Sequence, residues 1–266
     1  FLESYTSLLN IDHAKLEAFY EKKIEICYRE TVEIEMDEIL QTIANSEKKD
    51  EIYSFLVIGD PFCATTHSDL QLRAIKLGIE VKAIHNASII NAVGVTGMQL
   101  YSFGHIVSVP FFTEKWKPYS FLNRVVDNYK SKLHTLVLLD IRVREISDEN
   151  LLKGKKIYDP PHFMTVNVCL DQSVESVKAN NVTAFGDIDK LKVFGVARIG
   201  ADDQLILSGT IEELRFVDFG KPLLSVIVCG PEMHELEQAM FNFYNVKNND
   251  FSYLLKPMKI EDDICG

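Results

Sequence analysis

Gly59-Asp60-Pro61 closes the apolar run Tyr53-Ser-Phe-Leu-Val-Ile58. A carboxylate set directly after a buried strand projects into the crevice where α/β sheets bind ligands, and there it can accept ribose hydroxyls or balance a cationic group. The same tripeptide suits a plain strand-end turn, so by itself it leaves both readings open. The next residues, Phe62-Cys63-Ala64-Thr65-Thr66-His67, add small and polar side chains and a helix start whose first amides lack intrahelical acceptors. His85-Asn86-Ala87-Ser88-Ile89 occupies a second strand-to-helix position, where Ser88 can either meet a ligand or cap a helix. A third strand end, Val137-Leu138-Leu139-Asp140, can offer main-chain groups to a flat ring, although as a lone motif it reads as core.

Other chemistries lack their patterns. No Gly-rich loop ends in GKS or GKT, so there is no P-loop, and Gly94-Val-Thr-Gly97 does not make a dinucleotide fingerprint. There is no GxSxG elbow. His67, His85 and His105 form no HExxH-like set and Cys63 has no cysteine companion, so no metal site is expected. Asp202-Asp203 suits a turn as well as a magnesium contact. Lys153, Lys155 and Lys156 beside Tyr158 make the clearest basic patch, either a solvated loop or a contact for an acidic surface.

The elements that would position these residues alternate between strand and helix. Asp12 is placed to cap a short helix through Tyr20, and Met36, Ile39, Leu40 and Ile43 fall at i, i+3, i+4 and i+7 of a second. The spacing then predicts a βαβ unit: a buried parallel strand at 53–60, a helix from Thr65 or Thr66 to about Leu77, and a strand at 79–84. An apolar helix loosened by Gly94 and Gly97 is expected over 87–100, a short strand at 105–109, a helix at 121–129 and a buried strand at 135–140. Further on come a helix within 163–177, strands at 191–197, 204–208 and 223–229 with antiparallel pairing near 204–208, and a last helix at 232–244 burying Leu236, Met240 and Phe243. The expected organisation is two α/β domains, 1–112 and 113–266, the first sheet mostly parallel and the second mixed. Phe1-Leu2-Glu3-Ser4-Tyr5 reads as a strand already under way, so an earlier strand is expected upstream.

The 266 residues include 28 Lys and Arg against 39 Asp and Glu, a formal charge of -11. That balance opposes general binding to nucleic acid or to an anionic membrane. No run approaches the ~20 apolar residues that cross a bilayer. The five cysteines have no CxxC pair, which fits reduced thiols in a cytoplasmic protein.

Taken in order, Gly59-Asp-Pro-Phe-Cys-Ala-Thr-Thr-His67, His85-Asn-Ala-Ser-Ile89, Pro110-Phe-Phe112, Leu138-Leu-Asp-Ile141, Lys156-Ile-Tyr-Asp-Pro-Pro161, Met164-Thr-Val-Asn167 and Ala197-Arg-Ile-Gly-Ala-Asp-Asp-Gln204 resemble the diphthine synthase family of the tetrapyrrole-methylase-like superfamily. The resemblance spans essentially the whole chain, and the lysine and tyrosine segment is more similar to the eukaryotic branch than to the archaeal one.

That resemblance implies a homodimer of two-domain α/β subunits that bind S-adenosylmethionine and release S-adenosylhomocysteine. It implies a protein substrate, elongation factor 2, whose aminocarboxypropyl-modified histidine is methylated to diphthine methyl ester in diphthamide biosynthesis, with no nucleic acid required. By motif it places Asp60, Cys63, Ser88, Ile89, Leu139, Ile199 and Leu224 at the cofactor. Relatives often carry Gly at the position of Cys63 and His at that of Leu224. It also implies an opening strand with a Gly-Leu-Gly-Leu-like loop, which this sequence lacks. No catalytic base is assigned. The alternatives are a tetrapyrrole methyltransferase sharing the fold and a noncatalytic elongation-factor-binding protein.

Overall fold

The computed structural model describes residues 1–7, 11–48, 50–146, 152–155 and 157–248. In chain order the elements are β1 (Leu2–Glu3), α1 (His13–Tyr20), β2 (Ile26–Cys27), α2 (Met36–Asn45), α3 (His67–Lys76), α4 (Ile89–Ala92), β3 (Val107–Val109), α5 (Ser120–Lys130), β4 (Thr135–Leu139), β5 (Ile141–Arg142), β6 (His162–Phe163), α6 (Val166–Ala179), β7 (Lys192–Ala197), β8 (Leu205–Thr210), α7 (Ile211–Leu214), β9 (Leu224–Val228) and α8 (Glu235–Phe243).

The chain divides into two compact units, one of Phe1–Ile90 with Ile141–His162, the other of Asn91–Asp140 with the chain from Phe163 onward. A cut between 112 and 113 differs from this in two respects. Residues 91–112 belong with the second unit, and 141–162 return to the first.

In the first unit Leu2 is the centre of a parallel arrangement. β1 pairs in parallel with β2, and Leu2 also bridges Leu56 in parallel. Phe1 C=O accepts from Leu56 N–H at 2.8 Å, and Leu56 C=O accepts from Glu3 N–H at 3.0 Å. A small core gathers Tyr5, Cys27, Val32, Met36, Leu40 and Ala74. The predicted stripe on α2 is therefore present, with Met36 and Leu40 buried, and Asp12 caps α1 by accepting from Ala14 N–H at 2.7 Å.

The predicted βαβ unit is corrected. Its helix is present as α3, but 53–60 contributes only the bridge at Leu56, and 79–84 forms no strand. Tyr53 is 46% exposed and Ile84 79%, so neither segment is the doubly covered strand its composition suggests. A strand is a pairing relation, and apolar β-branched residues supply only the side-chain half of it. The helix predicted over 87–100 is also shorter: α4 gives way to 3-10 turns at Val93–Thr96 and Leu100–Ser102, and Gly97 ends the first of them at φ +84°. A Cβ on Gly97 would lie 2.3 Å from Met240 Cγ, so α8 leaves room there for glycine alone.

The second unit is built on a five-stranded mixed sheet in the order β3-β4-β9-β7-β8. β3 and β4 are parallel; the other neighbours are antiparallel, including the predicted pairing of β7 with β8. Helices α5, α6 and α7 cover one face through Phe121, Leu122, Val125, Cys169, Leu170, Val174, Ile211 and Leu214. On α8 the buried residues are Glu237 and Phe241, whereas Leu236 and Phe243 are 67% and 64% exposed. This overturns the prediction for Leu236 and Phe243, while the third residue of the predicted face, Met240, is half-buried against Gly97. Phe241 meets Phe194 of β7 edge to face at 5.4 Å, while Glu237 is retained by its hydrogen bonds.

Candidate active site

The sequence motifs form two clusters, one in each unit. In the first unit Gly59 adopts φ +95°, a conformation that disfavours any side chain, and the turn that follows is organised by Asp60. Asp60 is only 6% exposed. Its Oδ1 accepts from Phe62 N–H at 2.8 Å, and its Oδ2 accepts from Asn86 N–H at 3.2 Å. His85 Nδ1 lies 2.9 Å from the same Oδ2. An ionised carboxylate can only accept, so His85 carries its proton on Nδ1 and donates. Asp60 thereby ties the 60–63 turn to the 85–88 turn, which bears Ser88.

These bonds set the electrostatics. The Phe62 amide, then the His85 imidazole, outweigh burial and hold the Asp60 carboxyl down at about 2. Cys63 lies near enough to Asp60 and Ser88 for both to act on its thiol. Burial, followed by the Asp60 bond and charge, pushes its thiol up, with the Ser88 hydroxyl opposing. Cys63 is therefore a neutral thiol near neutral pH and a poor nucleophile. Ser88 Oγ also accepts from Ile90 N–H at 3.2 Å, so the capping reading of this residue holds alongside its contact with Cys63. Ile89, half-buried, opens α4. The structure thus brings Asp60, Cys63 and Ser88 together, with Ile89 adjacent.

His67 supports the turn from below. Its Nδ1 lies 3.1 Å from Pro61 C=O, which also accepts from Thr65 Oγ1 at 2.5 Å. The sequence offers His67 as part of the polar helix start and as a metal candidate; its bond to Pro61 C=O, six residues back, comes only from the fold.

In the second unit, Leu139, Ile199 and Leu224 gather at one end of the sheet. Leu138 pairs with Ser225, so the next step in the antiparallel register sets Leu139 beside Leu224. Leu224 also pairs with Ala197, two residues before Ile199. Leu139 and Leu224 are 8% and 9% exposed and Ile199 is half-buried, giving an apolar sheet end of the kind that packs against a flat ring.

Three polar residues that the sequence did not single out for the purpose frame this end. Asp140 Oδ2 accepts from Phe111 N–H at 3.0 Å. Gln172 holds the same loop from both sides, accepting from Phe112 N–H at 2.9 Å and donating to Pro110 C=O at 2.8 Å. Arg198, at φ +47°, donates to Phe219 C=O at 3.0 Å, to Lys221 C=O and to Asp203 C=O at 2.9 Å, fixing the two turns that flank Ile199 and Leu224. Asp203 thus serves a turn, as one of its two readings expects.

Among the described residues no group of three or more His, Cys, Asp or Glu side chains converges as metal ligands, and no helix is long and apolar enough to cross a membrane. What the clusters offer is a fixed carboxylate, a neutral thiol and a hydroxyl on one unit and an apolar sheet end on the other. On the first unit the carboxylate and hydroxyl suit sugar hydroxyls or a cationic centre; on the second, the apolar sheet end suits a flat ring.

The family profile described as Tetrapyrrole (Corrin/Porphyrin) Methylases matches residues 6–215. The diphthine methyl ester synthase of Dictyostelium discoideum is 50% identical over 251 residues, covering 94% of this chain and 89% of that protein. Those of Emericella nidulans and Homo sapiens are 49% and 46% identical, each covering 94% of this chain and 86% of the relative. A crystal structure from Entamoeba histolytica superposes with a TM-score of 0.77 at 39% identity, covering 92% of this chain and 86% of that one. A crystal structure of a diphthine synthase superposes with a TM-score of 0.73 at 26% identity, covering 92% and 84%.

Proposed function

Because the chain belongs to the tetrapyrrole methylase family and is about half identical to diphthine methyl ester synthases over nearly its whole length, we propose that it is the S-adenosylmethionine-dependent methyltransferase that makes diphthine methyl ester in diphthamide biosynthesis. The single observation that carries this reading is that extent of identity, 50% over 251 residues and 94% of this chain. The substrate is the aminocarboxypropyl-modified histidine of elongation factor 2. The enzyme works in the cytoplasm as a homodimer.

S-adenosylmethionine supplies a methyl carbon made electrophilic by its sulfonium. The chain's own residues bind and orient. In the first unit, Asp60 locks the two turns that present Cys63, Ser88 and Ile89, and its carboxylate gives that cluster the negative charge suited to a cationic cofactor. Protonation of Cys63 matters here, because a thiolate would compete with the substrate for the methyl group. In the second unit, Leu139, Ile199 and Leu224 line the adenosine or methionine portion and exclude water. Holding donor and acceptor in line removes much of the entropic barrier. The carboxylate of the substrate is already nucleophilic near neutral pH, whereas its amine must first lose a proton, which water can accept.

The experiment is transfer of labelled methyl from S-adenosylmethionine to modified elongation factor 2, with unmodified elongation factor 2 and a porphyrinoid as parallel acceptors. Label in the modified protein alone supports the reading; label in the porphyrinoid alone replaces it with tetrapyrrole methylation.

A further inference from the structure

The segment that returns to the first unit carries an arginine that the proposed chemistry leaves unused. Its two arms are tied by an antiparallel bridge between Ile146 and Tyr158 and by Asp159 N–H donating to Glu145 C=O at 2.8 Å. Arg144 stands on one arm at φ +58°, with its side chain exposed. Its guanidinium carbon lies 4.3 Å from the centre of the Tyr28 ring and 4.5 Å from that of Tyr158, and both rings are half-buried.

Two aromatic contacts hold this cation by its faces, through cation–π attraction, and leave its rim of N–H donors for something else. Among the described residues no carboxylate forms an ion pair with Arg144, in a chain with 39 acidic residues. The neighbouring Glu145 turns instead to Arg142, 3.7 Å away. A guanidinium already ordered by two rings loses little further freedom when it binds, and its planar fork matches a carboxylate in two-point geometry. The exposed Lys155 lies on the same segment and adds positive charge. The overall charge of -11 disfavours a polyphosphate chain as the occupant, and a single carboxylate, matched to the planar fork, carries the smaller like-charge cost.

We infer that Tyr28, Arg144 and Tyr158 form a docking clamp for a carboxylate on an acidic surface segment of the protein substrate. This rests on the reading of the chain as a protein methyltransferase, and it adds a recognition point outside the cofactor residues. Its role is to hold the substrate protein; no bond is made or broken there.

The test is the Kd of the intact protein for modified elongation factor 2, measured by titration with S-adenosylhomocysteine present, in parent, Arg144→Gln and Arg144→Lys. Arg144→Gln is expected to weaken binding about tenfold, and Arg144→Lys by about threefold because charge remains without the fork. The affinity for S-adenosylhomocysteine and the thermal midpoint should be unchanged, which a merely structural role would not allow. A Kd for Arg144→Gln within about twofold of the parent overturns the clamp even where methyl transfer proceeds. So does binding of single-stranded RNA by the parent that Arg144→Gln abolishes, which would make the occupant a phosphate. Absence of methyl transfer with a tenfold loss of binding still in place would overturn the enzyme reading and leave the clamp standing.

Discussion

Asp60 Oδ2 and His85 Nδ1 lie 2.9 Å apart, joining two turns that are 25 residues distant in sequence. With the Phe62 and Asn86 amides donating to the same carboxylate, Asp60 acts first as the fastener of the candidate site and only through that as a charge. Asp60→Asn keeps the shape but replaces one acceptor oxygen by a donor, which would face a backbone N–H or the His85 N–H. S-adenosylmethionine affinity should fall at least about tenfold, measured by calorimetry. His85→Ala, which leaves both backbone bonds, should cost much less.

The pH dependence follows in sign. The Asp60 carboxyl is held at about 2 against an ordinary 3.8. A depressed carboxyl stabilises the fold above its unfolded value, and that contribution disappears as pH falls through the folded one. Stability owed to Asp60 should therefore be constant from neutral pH down to about 4 and be lost between about 4 and 2. Urea titrations of the parent and Asp60→Asn should differ by a constant amount above that window and converge within it. A difference that changed between pH 8 and pH 6 would contradict this assignment to Asp60.

Cys63 should be sluggish toward iodoacetamide near neutral pH, since its thiol is raised above the ordinary 9.0 by burial and by Asp60. Peptide mapping after timed alkylation reads this directly. In Asp60→Asn the same cysteine should react faster at a given pH, because a raising influence has gone. Cys63→Gly should keep cofactor binding, whereas Cys63→Trp should abolish it by filling the turn.

Leu139 and Leu224 sit side by side on β4 and β9, so their substitutions should not add. Each change to Ala should cost roughly 2–5 kcal/mol of stability, and the double variant should cost less than the sum because the two cavities merge. Chemical denaturation of the four proteins closes the cycle. Strict additivity would place the two side chains apart.

Glu237 is 2% exposed, yet three donors converge on it: Gln99 N–H at 2.9 Å, His234 N–H at 2.8 Å and His134 Nε2 at 3.1 Å. His134 Nδ1 accepts from Gly230 N–H at 2.9 Å, so the imidazole is neutral with its proton on Nε2. Burial pushes the Glu237 carboxyl up, but the two amides and the imidazole outweigh it and hold it below 4.5. Glu237→Ala would leave these donors buried and unpaired, at a cost of about 3 kcal/mol or more, with Glu237→Gln in between. Thermal melts rank the three proteins; equal midpoints would contradict the network.

The same residue shows where the sequence stops being legible. In α8 the apolar residues Leu236, Met240 and Phe243 outline a face, and the helix buries Glu237 and Phe241 instead, because a capping carboxylate meets His134, more than a hundred positions away. Hydrophobic spacing carries no record of such a partner. Where local forces decide, reading succeeds: Asp12 caps α1, the Met36 and Leu40 stripe is buried, and β7 turns back on β8. The apolar run 53–60 fails for the opposite reason, since its strand character depends on a neighbour, and only Leu56 has one. At the candidate site, an acid after an apolar run makes Asp60 a candidate while leaving a plain strand-end turn open. Its bonds to the His85 turn, and the clamps made by Gln172 and Arg198, depend on folded geometry that no spacing encodes.

The central claim is tested most directly by the intact mass of aminocarboxypropylated elongation factor 2 after incubation with S-adenosylmethionine and the protein. The account predicts mass added in single-methyl steps, ending at three methyls on the amine and one on the carboxylate, with none added to unmodified elongation factor 2. No added mass, with substrate and cofactor verified intact, would contradict it and favour a protein that binds the elongation factor without modifying it.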